Sequence, residues 1–146
     1  MATSKFMSIS VLLIVLSCST KMNQYLKTDK NVQLRDGRWI EKERDPYGEY
    51  ISKGRYIKGE KTGRWKTVYQ GRKYHQEKFR KGYSVVKFYH PNGKLMETGR
   101  TETKILPQER IWQKTGNWKY YDDTGKLLLI KKYFDGQPIA DSILQK

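Results

Sequence analysis

One cysteine, two histidines and a shortage of aliphatic residues set the first limits on this 146-residue chain. A lone Cys18 cannot close an internal disulfide, and without a second cysteine there is no thiolate metal site. His75 and His90 are the only histidines, and the sequence holds no metal-ligand cluster, nucleophile elbow or phosphate-cradling glycine loop. No catalytic residue, cofactor or metal is therefore assigned, and the chain is read as a non-enzyme. Long apolar runs are also missing. The longest, residues 6–16, has eleven positions, where a spanning helix needs roughly 20. Acidic residues are scarce, 15 against 30 Lys+Arg, which gives a net charge of +15 and a pI of about 9.8. Eleven of the 53 apolar residues lie in the first 17 positions, and 18 of the remaining 42 are Phe, Trp or Tyr. A two-layer core of Leu, Ile and Val is excluded. Any core must be mostly aromatic.

What is present begins with an address. Residues 1–17 carry Lys5, then the eleven-residue apolar stretch, then the small Ser17, which are the three parts of an export signal. The competing reading is a buried first helix of a cytosolic domain. Cys18 follows directly in Val15-Leu16-Ser17-Cys18. This segment resembles the bacterial lipobox, and the resemblance implies cleavage before Cys18 and lipidation of it. Residues 18–33 are polar and aperiodic, and read as a lipidated tether. Three acyl chains would hold firmly where one holds only marginally.

The rest repeats itself. Gly48, Gly71 and Gly125 are each followed eight residues later by an aromatic (Tyr56, Phe79, Tyr133) and eleven later by a second glycine (Gly59, Gly82, Gly136). Trp39, Trp65 and Trp118 precede them. A weaker copy, residues 86–95, aligns without gaps on residues 118–127, with Val86 in the tryptophan place and Gly93 in that of Gly125. The interval from Gly93 to Gly125 carries an insertion of about ten residues within 100–111, around Pro107. Units this short call for an array. Each reads as a β-hairpin whose turn glycines supply positive φ. Lone hairpins are marginal, so successive ones are expected to join into one extended, twisted antiparallel sheet of about four repeats, with aromatic ladders on its surface. The fold class is all-β. Short runs such as Gly59-Glu60-Lys61-Thr62-Gly63 are expected as outer connections.

The run Gly116-Asn117-Trp118-Lys119-Tyr120-Tyr121-Asp122-Asp123-Thr124-Gly125-Lys126-Leu127, ending in Tyr133-Phe134-Asp135-Gly136, resembles the MORN repeat variant. The resemblance covers residues 34–139, is strongest in the last unit, and is weakest at 93–104, where Thr101 replaces the aromatic and Lys104 the glycine. Residues 140–146 are left as a tail. The resemblance implies a single sheet without a catalytic centre, and relatives that are exported or lipidated and in some cases labelled antitoxin-like.

Charge is concentrated. Residues 52–81 hold eleven Lys/Arg and two Glu, a net +9 in 30 residues. On alternating strands many of these would share a face with Tyr56, Tyr69 and Tyr74. Lys53, Arg55, Lys58, Arg64, Lys66, Arg72, Lys73, Lys78 and Arg80 are the candidate polyanion-binding residues. The export signal disfavours nucleic acid and leaves anionic envelope components as accessible partners. The same charges also serve to keep an open sheet soluble and its edges unpaired. His75 is expected to face solvent and His90 to belong to a turn. The sequence thus points to a non-catalytic binding or scaffold module, lipid-anchored at the bacterial cell envelope on its periplasmic or outer surface. The alternative is an antitoxin-like module that neutralises a partner protein.

Overall fold

A computed structural model of the chain describes residues 21–105 and 110–143. The export signal and Cys18 lie outside the described residues, as does Pro107. Ten strands follow one another: β1 (Gln24–Lys27), β2 (Gln33–Asp45), β3 (Gly48–Ile57), β4 (Glu60–Tyr69), β5 (Arg72–Phe79), β6 (Tyr83–Tyr89), β7 (Leu95–Ile105), β8 (Arg110–Tyr121), β9 (Leu127–Phe134) and β10 (Gln137–Ile143). They form a single open antiparallel sheet in sequence order, β1 to β10, with no helix among the described residues. The expected hairpin array is what the chain builds. β1 falls inside the stretch read as a tether, and β10 runs past residue 139 into the expected tail.

Three of the connections are two-residue turns with both central residues at positive φ: Lys58-Gly59, Gln70-Gly71 and Asp135-Gly136. That geometry matches the right-handed strand twist, and glycine carries its more demanding position. Gly48 departs from this rule. Its φ is not positive; its turn is fastened instead by the Asp45 carboxylate, which accepts from the backbone N–H groups of Tyr47 and Gly48, both at 2.8 Å. A side chain at Gly48 would strike the Tyr69 ring and Gln70, so close approach explains that glycine. Gly93 and Gly125 sit in longer turns that lean on each other. His90 Nε2 lies 2.9 Å from the Tyr121 carbonyl, Asn92 donates to the Asp123 carbonyl at 2.7 Å, and Lys94 to that of Thr124 at 2.8 Å. His90 thus has the expected turn role.

Two expectations need correction. Residues 60–63 are not an outer connection: they open β4, and Lys61 pairs with Tyr56 and Thr62 with Arg55. The insertion adds no separate loop at 100–105, because Arg100 to Ile105 pair with Thr115 to Arg110 and simply lengthen the β7–β8 hairpin.

The core lies on one face of the sheet, here the inner face. Its buried residues are Trp39, Tyr56, Trp65, Val86 and Trp118. Tyr25, Trp39, Tyr56 and Trp65 meet edge to face in sequence, with ring centres 5.1, 5.7 and 5.1 Å apart. Such edge-on pairs add about 0.5–1.5 kcal/mol each beyond the area they bury. Two glycines make room for indoles. Trp65 lies flat over Gly54 and Trp118 over Gly99, so that a Cβ on either glycine would fall within 3.0 Å of ring atoms. Opposite each glycine the partner strand carries two extra residues, between Thr62 and Lys66 and between Thr115 and Lys119. The bulge tips the indole onto the glycine, and the ring N–H then donates to the next carbonyl: Trp65 to Arg55 at 3.2 Å, Trp118 to Arg100 at 2.9 Å.

Candidate functional site

Each buried tryptophan has a cation on its ring, and each cation is four residues earlier in the chain. Arg35 sits 4.9 Å from the Trp39 ring centre, Lys61 4.2 Å from Trp65 and Lys114 3.9 Å from Trp118. Between them stands a glycine in the left-handed region: Gly37, Gly63 and Gly116. The pattern cation-x-Gly-x-Trp was present in the sequence (Lys-Thr-Gly occurs at both 61–63 and 114–116) and was missed, because the repeat was framed on the turn glycines.

Carboxylates hold the cations in place. Glu41 binds Arg35 at 2.5 Å and Lys61 at 2.8 Å, and accepts from the Tyr56 hydroxyl at 2.6 Å. Burial alone would raise the Glu41 carboxyl, but the hydrogen bonds of Lys61 and Tyr56, with the charges of Lys61 and Arg35, bring it below the ordinary carboxylate range. Tyr56 is pushed up to about 12, first by burial and then by Glu41. On the far side Lys114 binds Glu97 at 2.9 Å and the Tyr120 hydroxyl at 3.1 Å, and Tyr120 shares a 2.9 Å bond with Tyr133. Burial, then the Tyr133 hydroxyl, raises the Tyr120 phenol.

Between these two clusters the fourth copy lacks the motif. Gly82, Ser84 and Val86 stand where a cation, glycine and tryptophan stand elsewhere. The sheet curls toward the inner face there. Phe79 of β5 and Trp112 of β8 meet edge to face at 5.5 Å over the small Ser84 and Thr101, although three strand spacings separate them by about 14 Å in a flat sheet. The result is a cleft of about 640 Å³ walled by Lys61 and Lys114, with His75, Glu77, Val86 and Phe88 on its floor. Glu77 takes the hydrogen bond of the fully buried Ser84 hydroxyl. Burial raises its carboxyl above the ordinary range, against the pull of Ser84 and Lys61. His75 stacks on Phe88 at 4.6 Å, and burial, then Lys61, lowers its pKa. The expectation of a solvent-facing His75 is corrected: alternation along β5 turns it inward.

The nine candidate polyanion residues lie elsewhere. Lys53, Arg55, Arg64, Lys66 and Lys78 point to the outer face, opposite the tryptophans, because each occupies the alternate strand position. There they pair with like charge: Lys53 with Lys66, Arg64 with Lys78, and Arg38 with Arg55. Lys78 continues through Val85 to Arg100, and Lys66 through Gln76 to Lys87. Arg64, Lys78, Arg80 and Lys87 line one shallow outer groove of about 370 Å³ with Tyr83. Lys73 lies 3.5 Å from the Tyr89 ring centre. Lys58 sits in a turn, and Arg72 opens β5 opposite Tyr69. Among the described residues, Lys53, Arg55, Arg64, Lys66 and Lys78 have no ion-pair partner.

The expected mixture of Tyr56, Tyr69 and Tyr74 with the outer-face charge is corrected: only Arg72 and Lys73 of the candidate cations line a pocket with any of the three, Tyr69 and Tyr74. Tyr56 is buried on the inner face, and Tyr69 and Tyr74 pack there with Tyr50 at 4.5 and 5.5 Å. A register shift at Thr67/Val68 brings Tyr74 to that side. Among the described residues no three His, Cys, Asp or Glu side chains come close enough to hold a metal ion, and no helix is long and apolar enough to cross a membrane.

The fold and its two faces define an open β-meander repeat module, aromatic within and cationic without. No family model, curated protein or solved structure matches the chain.

Proposed function

We propose that this chain is a non-catalytic binding module that holds anionic polymers of the bacterial cell envelope on the outer face of its sheet. The observation that carries the reading is the pairing of like charges across strands. Lys53 faces Lys66 and Arg64 faces Lys78 without carboxylates between them. Directly opposed like charges destabilise a sheet by a few tenths to about 1 kcal/mol per pair. Solubility alone is served as well by mixed charge, which carries no such cost. A phosphate or carboxylate polymer lying across the strands would neutralise both members of each pair. Residues 1–17 and Cys18 support export and lipid anchoring, which place the module where such polymers are exposed.

The test is fluorescence titration of the full chain with short inorganic polyphosphate across a range of salt. Release of counterions makes the affinity fall steeply as salt rises. Affinity independent of salt, or unchanged in Lys53→Glu/Arg64→Glu, would refute the reading. Intact mass of detergent-extracted protein tests the anchor. A mass of residues 18–146 plus acyl chains supports it, and that of the whole unmodified chain contradicts it.

A further inference from the structure

We infer that the inner-face cleft around Glu77 is a binding site for a neutral carbohydrate, separate from the cationic outer face. The cleft exists because one repeat gives up its own filling. In the row that crosses the sheet through Trp65, Glu77, Val86 and Gly99, tryptophan covers glycine on either side, but Glu77 stands opposite Val86 in between. A carboxylate and an isopropyl group replace a glycine and an indole. A half-buried carboxylate loses part of its hydration, and Glu77 regains only the one hydrogen bond from Ser84, so this exchange lowers stability without improving packing. A ligand would account for it.

The chemistry of the lining selects the ligand. Glu77 receives one hydrogen bond, from Ser84 to Oε1, and its Oε2 has no protein partner among the described residues while remaining open to the cleft. His75 next to it on the same face has its ring on Phe88 but no hydrogen bond to either nitrogen among the described residues. An anion is disfavoured, because the two lysines on the walls are already held by Glu41 and Glu97 and the floor carries Glu77. A cation would lie between those same two lysines. A purely apolar ligand would strip water from Glu77 and return no hydrogen bond. What remains is a neutral molecule with donor hydroxyls at its edge and an apolar C–H face. A pyranose has both: hydroxyls for Glu77 Oε2 and the neutral His75, and a C–H face for Phe79 or the half-exposed Trp112. At about 640 Å³ the cleft is within the usual size range of ligand pockets, roughly 300–1,000 Å³.

The experiment is a titration of the full chain with chitotriose, maltotriose and cellotriose, followed by tryptophan fluorescence and by saturation transfer to the sugar C–H protons. The expected result is that at least one trisaccharide binds and receives saturation. Glu77→Gln should weaken it about tenfold or more, as loss of a hydrogen bond to a charged group does. Glu77→Gly/Val86→Trp rebuilds the filling of the neighbouring repeats, and should abolish binding while the β-sheet circular dichroism is kept. Lys53→Glu/Lys66→Glu, on the outer face, should leave sugar binding unchanged. Silence from all three sugars would overturn the proposal. Undiminished binding in both cleft variants, or loss of binding in the outer-face variant, would do the same.

Discussion

Gly99→Ala puts the packing scheme at its sharpest risk. Nothing in the Gly99 backbone forbids alanine, since its φ is outside the left-handed region. By itself such a change stabilises by about 0.4–1 kcal/mol through the unfolded chain. Opposing this, the new methyl would lie closer than 3.0 Å to three atoms of the Trp118 ring, where carbon contacts need about 3.5–4.0 Å. The ring must lift by about 1 Å or more, and it has little freedom to do so. It is 1% exposed, its N–H is bound to the Arg100 carbonyl at 2.9 Å, and the Lys114 ammonium lies 3.9 Å from its centre. Overpacking of this kind costs about 1–3 kcal/mol, and loss of the indole hydrogen bond about 1 more. The expected net loss is about 2–3 kcal/mol, read from the urea midpoint by circular dichroism. In a Trp118→Ala background the same alanine should cost nothing, a coupling of about 2–3 kcal/mol in the double-mutant cycle. A loss under about 0.5 kcal/mol in the parent chain would show that the indole does not rest on Gly99.

Other outcomes follow from the same geometry. Trp118→Ala should cost about 3–5 kcal/mol, whereas Trp112→Ala, at a ring 48% exposed, should cost under about 1 kcal/mol. Tyr56 has its pKa raised to about 12, so its contribution to stability is full below pH 10 and is lost as pH rises toward 12. A urea midpoint that holds steady over that interval would contradict this. His75 has a lowered pKa, so its contribution is present above its unfolded value and disappears as pH falls through the folded one. Its imidazole proton resonances should accordingly titrate below pH 6.5, and a midpoint at or above that value would place the ring in water.

The strands and turns were legible because hairpins announce themselves locally. Turn glycines at 59, 71 and 136 fix the ends, and the alternation Trp65, Thr67, Tyr69 correctly gave one face. Faces were harder to carry from strand to strand. Bulges opposite Gly54 and Gly99, and the shift at Thr67/Val68, change the phase of alternation without any break in composition. Tyr56, Tyr69 and Tyr74 were for that reason assigned to one face with all the charge, whereas they pack on the inner face, where Arg72 stands opposite Tyr69. β1 escaped notice because its four residues are all exposed and show no hydrophobic period. The cleft was least legible, since it depends on what Val86 fails to fill, and that is visible only once Trp65 and Trp118 are seen on either side.

The most direct test of the two-faced sheet is Lys66→Glu, measured for stability and for polyphosphate affinity on the same preparation. Lys66 stands opposite Lys53 with no carboxylate between them, so the exchange turns a repulsive cross-strand pair into an attractive one. The expected result is a chain more stable by about 0.5–1 kcal/mol that binds polyphosphate more weakly, with a shallower dependence on salt. A chain made less stable, or one that binds as before, would contradict the assignment of the outer face to anionic ligands.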